Sequence, residues 1–117
     1  MSKGISKQLQ DKITQYQNLQ QKMSSLQQQI QTLKIEELDI NKAIKEIEEL
    51  PDDEECYRSI GRLMVKSTIK ETKVKLKDQK EFASTRVEIF EKDLNKTKRQ
   101  HDDLEAEIKA AIEGNQG

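Results

Sequence analysis

The feature that most constrains this chain is a pair of apolar stripes separated by a single proline. Alternate steps of three and four from Ile5 reach Leu9, Lys12, Tyr16, Leu19, Met23, Leu26, Ile30, Leu33, Glu37, Ile40, Ile44 and Ile47. Only Lys12 and Glu37 break the series. A second series runs from Ile69 through Lys73, Leu76, Lys80, Ala83, Val87, Phe90, Leu94, Thr97, His101, Leu104, Ile108 and Ala111. This spacing puts one apolar seam along a helix. A long helix with one exposed seam is not stable alone in water, so the seam must be covered. Pro51 costs about 3 kcal/mol inside a helix and also drives Leu50 out of helical geometry. The chain is therefore expected to turn back as a mainly α fold, a long antiparallel two-helix coiled coil. Its expected layout is one domain over residues 1–117, with helix 1 at about 4–50 and helix 2 at about 69–113.

Composition agrees with that class. Hydrophobic residues make up 32% of 117 and charged residues 37%, with no Trp. That is too little apolar surface for a compact core. A disordered chain has no reason to keep a regular apolar period. The many glutamines between Gln8 and Gln31 lie around an unbroken seam, so they read as helix surface.

Between the stripes stands "LPDDEECYRSIGRLMVKST", residues 50–68. The acids after Pro51 follow no apolar pattern and read as a turn. Two short runs of β-formers then flank Gly61-Arg62, and glycine in the first central position suits a two-residue type II′ turn. The predicted hairpin covers about 55–67 and pairs Ile60 with Leu63, Ser59 with Met64, Arg58 with Val65 and Tyr57 with Lys66. Cys56, Ile60, Leu63 and Val65 fall on one face, Tyr57 and Met64 on the other. A lone two-stranded hairpin is marginal in water, and its edges invite pairing. Cys56, Tyr57, Ile60, Gly61, Leu63, Met64 and Val65 are thus expected to form an oligomerisation ribbon completed by other subunits.

Net charge is −1, which gives no whole-chain field toward nucleic acid or membranes. Residues 57–80 are locally basic, with Arg58, Arg62 and six lysines against Glu71 and Asp78. RNA binding there would show steep salt dependence. Without a stacking platform, a solvated helix face is the simpler reading. Cys56 has no partner for an internal disulfide, and "MSKGISKQLQ" lacks the apolar segment of a secretory signal. Both point to the cytoplasm. The only histidine, His101, sits on the seam, where it is expected to fill the core. It has neither a second His nor a Cys pair for a metal, and no Gly-rich phosphate loop accompanies it. No enzyme activity, cofactor or metal is expected.

The order of parts resembles the prefoldin β-type subunit over nearly the whole chain. The specific residues are "LPDD", "CYRSIG" and the strand ending "VKST", with one hairpin where the α-type carries two. The resemblance implies an ATP-independent chaperone whose hairpins assemble between subunits into a β-barrel platform. It implies a hexamer of α-type and β-type subunits, unfolded client proteins as cargo and a group II chaperonin as recipient. Clients would meet the coiled-coil tips: Ile5, Leu9, Ile13 and Tyr16 on the first helix, Leu104, Ile108 and Ile112 on the second. Ile13 and Ile112 lie off the seam and are expected to stay uncovered. The rival reading is a coiled-coil scaffold or tether that binds specific folded partners.

Overall fold

The computed structural model describes residues 6–116, with side chains to Gly114. Helix α1 spans Lys7–Ile47 and strand β1 Glu55–Ile60; strand β2 spans Leu63–Thr68 and helix α2 Ile69–Gln116. The chain divides into two compact units. A terminal unit comprises Met1–Ile30 with Ile89–Gly117, and a ribbon unit comprises Gln31–Glu88. Each helix contributes a segment to both.

The ends of α1 follow from local chemistry. Ser6 caps its start: the Leu9 amide donates to Ser6 Oγ at 3.1 Å, satisfying one of the first-turn donors that lack helical partners. The helix stops three residues before the expected position. Pro51 forces Leu50 away from helical geometry, and the chain unwinds through a turn in which Leu50 N donates to Ile47 O at 3.1 Å. The acids form a second turn, closed by Glu54 N to Pro51 O at 3.1 Å.

β2 passes into α2 without a loop. Thr68 is the cap, its Oγ1 accepting from the Glu71 amide at 3.2 Å. The Ile69 amide donates to Glu54 O at 2.9 Å and the Lys70 amide to Asp52 O at 3.0 Å. The acidic turn thus supplies the acceptors that a helix start otherwise lacks. Lys73 secures the same corner. Its ammonium donates to Leu50 O at 3.2 Å and Asp52 Oδ1 at 3.0 Å.

Within the ribbon unit the buried side chains are Leu33, Ile40, Ile69, Ala83 and Val87, all seam positions except that Ser67 joins them from β2. Glu37, the seam's acid, is satisfied rather than expelled: Ser84 Oγ donates to Glu37 Oε2 at 2.8 Å. Lys80 is the one described seam position left exposed. Within the terminal unit Leu9, Leu26, Ile30, Thr97 and Leu104 are buried. Lys12 stays half-buried, its stem on the seam and its Nζ 3.9 Å from Glu107. No described helix is long and apolar enough to cross a membrane.

Candidate functional site

The ribbon has the register that its turn demands. Cα partners run from Glu55 with Thr68 to Ile60 with Leu63, antiparallel. Gly61 has φ +60° and no non-glycine residue described has positive φ, so Arg62 is on the negative side, as a type II′ turn requires. Among the described residues two strands make the whole sheet.

The two faces differ along their length. Near the helices, Cys56 Sγ lies 3.2 Å from Thr72 Oγ1, and Ser67 Oγ donates to Glu71 Oε2 at 3.1 Å. Cys56 is therefore engaged by its own α2, whereas the sequence placed it with the residues awaiting a partner subunit. Toward the turn the apolar side chains are bare. Leu63 is 68% exposed, Met64 66% and Tyr57 64%, with Ile60 and Val65 also exposed. These five occupy both faces. Lys66 pairs with Glu55 at 3.1 Å near the helix end of the ladder, on the face that carries Tyr57. An apolar ribbon with open edges is a surface that further strands could extend.

In the terminal unit, Leu9 and Leu104 are seam core. Tyr16 is half-buried, stacked on His101 with ring centroids 4.4 Å apart and planes 22° apart. Ile13, expected to be left uncovered, is half-buried; Ile112 is 43% exposed. Tyr16, Ile108 and Ile112 line an open groove of ≈ 380 Å³, bordered by Glu105 and Lys109. Ile5 lies outside the described residues.

Sequence reasoning passed over the exposed apolar side chains away from both seams: Ile35, Leu38, Val74 and Phe82 in the ribbon unit. Their signal was available as apolar residues at outward helical positions. The guanidinium of Arg86 lies 5.7 Å from the Phe82 ring centroid and partly covers it.

Comparison with known proteins fits this arrangement of elements. A family model described as prefoldin subunit matches residues 10–115. The chain belongs to the prefoldin family. Its likeness is to the beta subunits of prefoldin. The prefoldin subunit beta of Thermococcus kodakarensis is 32% identical over 109 residues, 93% of each chain. That of Methanococcoides burtonii is 30% identical over 117 residues, 100% of this chain and 99% of the relative. The crystal structure of the prefoldin beta subunit from Thermococcus strain KS-1 superposes with a TM-score of 0.80 at 32% identity, covering 94% of this chain and 96% of that one. As a member of a chaperone family, the chain is a prefoldin-type subunit that assembles with other subunits of its kind.

Proposed function

We propose that this subunit joins α-type and β-type prefoldin subunits in a hexamer through its ribbon, holds unfolded polypeptides without ATP, and passes them to a group II chaperonin. The carrying observation is the bare apolar ribbon. Covering the remaining surface of each of its five exposed apolar side chains is worth about 1–2 kcal/mol. Only other strands can also satisfy its open edges. Neighbouring hairpins supply both, closing the strands into a barrel platform. The cytoplasm is the compartment this reading requires.

Client contact falls to the terminal unit. Ile112, off the seam, and the groove it shares with the seam residues Tyr16 and Ile108 offer apolar surface. Ile13 adds a half-covered flank. Leu9 and Leu104, buried in the seam, reach a client only where the helix ends open, and Ile5 completes the apolar set. Weak contacts at several helix ends add through effective concentration.

The test uses the assembled oligomer with an α-type partner. A denatured client is diluted into it without nucleotide, and aggregation is followed by light scattering. The combined Ile5→Ser, Ile13→Ser, Ile112→Ser oligomer, with assembly mass checked, is expected to lose suppression. Unchanged suppression refutes the client assignment. A Gly61→Pro, Ile60→Asp chain is expected to lose the assembly itself; parental mass would refute the ribbon's role.

A further inference from the structure

We propose that His101, Asp102 and Glu105 form a site for a divalent transition metal on α2, with zinc as the best fit. Their candidate ligand atoms all lie within 4.8 Å of one another. His101 Nδ1 is 3.2 Å from Asp102 Oδ1. Glu105 is one turn further along the same helix, where residues four apart share a face. Zinc bonds of about 2.0–2.2 Å to nitrogen and oxygen separate tetrahedral ligands by about 3.3–3.5 Å. Small rotations of two exposed carboxylates bring the three groups to that spacing.

What distinguishes the cluster from ordinary surface acids is its imidazole. The ring is fixed by stacking on Tyr16, and the side chain is only 13% exposed. Nε2 is buried with no hydrogen-bond partner among the described residues, so the Nδ1 edge is the one presented to the carboxylates. His101 thus fills the core with one edge and remains a ligand at the other. The ordering cost of binding falls on Asp102 and Glu105 alone. Two carboxylates with one imidazole select zinc, cobalt, nickel or copper over magnesium and calcium, which prefer all-oxygen sites. Three protein ligands leave a coordination position open to water or to a further donor.

Binding also changes the tautomer. Without metal, a carboxylate that can only accept calls for the proton on Nδ1, facing Asp102. With metal on Nδ1, the proton moves to Nε2, inside the seam and without an acceptor. That cost keeps the affinity below that of a structural zinc site.

The test takes the full-length chain without an affinity tag and with Cys56→Ser, which removes the only thiol. Zinc is titrated calorimetrically, cobalt by its absorption spectrum, and the single histidine is followed by its imidazole ¹⁵N shifts. The expected result is one metal per chain, a switch to the Nε2-protonated tautomer, and no competition from magnesium. Glu105→Gln, exposed and unable to disturb the seam, weakens binding about tenfold or more, as loss of one of three ligands demands. His101→Gln abolishes it, with helicity checked by circular dichroism. No saturable zinc binding, or unchanged affinity in either the Glu105→Gln or the His101→Gln chain, overturns the proposal. The outcome is independent of chaperone activity.

Discussion

Thr97 allows a sharp test of how the seam is built. It is fully buried, at 0% exposure, on the seam between Leu94 and His101. Its hydroxyl has Asp93 Oδ1 as partner at 3.5 Å, the outer edge of hydrogen bonding. The Asp93 carboxylate also lies 3.4 Å from Lys22 Nζ. Burying a hydroxyl without good compensation costs about 1–3 kcal/mol. A normal hydrogen bond returns about 0.5–1.5 kcal/mol, and one this long returns less. Valine has the same branched shape, so Thr97→Val opens no cavity and removes the desolvation cost. The substitution is expected to stabilise the fold by about 1 kcal/mol, or about 4 °C in Tm for a chain of this size. Thr97→Ser keeps the hydroxyl and deletes a buried methyl, and should cost about 1 kcal/mol. Thermal and urea unfolding, followed by circular dichroism at fixed oligomer concentration, gives the order Val above Thr above Ser. A Val chain at or below the parent refutes the reasoning. It would mean that the hydroxyl is held by a stronger partner than a carboxylate at 3.5 Å.

Three further outcomes follow from single contacts. At Gly61, φ is +60° and an added Cβ would meet nothing within 4 Å, so Gly61→Ala is opposed by backbone strain alone, about 1–2 kcal/mol, and Gly61→Asn by less; the yield of assembled oligomer on size exclusion ranks the three chains. Ser84→Ala leaves the Glu37 carboxylate at a half-buried seam position without its donor, and urea unfolding should show a loss of about 1 kcal/mol. Lys73→Met keeps the apolar stem but releases Leu50 O and Asp52 from the corner. It should cost under about 1 kcal/mol, by a margin that shrinks as salt is raised across an unfolding series.

Much of the fold was legible because its determinants are local. Apolar spacing marks the seam on each helix, Pro51 marks the stop and Gly61 marks the turn, and the strand register then follows by counting. The caps at Ser6 and Thr68 are local too, but apolar spacing does not mark them. Thr68 stands three residues before Glu71, a known helix-start pattern. The acid nonetheless takes its hydrogen bond from Ser67, a choice that spacing cannot reveal.

The sequence by itself determined which residues share a helix face, that the first helix must stop before Pro51 and which face of the ribbon each strand residue takes. These depend on periods of 3.6 and 2 along a continuous chain. Tertiary structure decided who meets whom across it. It turned Cys56 toward Thr72, brought Lys73 to the Leu50 carbonyl, half-covered Ile13 while leaving Ile112 bare, and stacked Tyr16 on His101. The physical reason is stagger. Contacts between segments far apart in sequence depend on how one seam is set against the other, and periodicity fixes the face of a helix but not its neighbour.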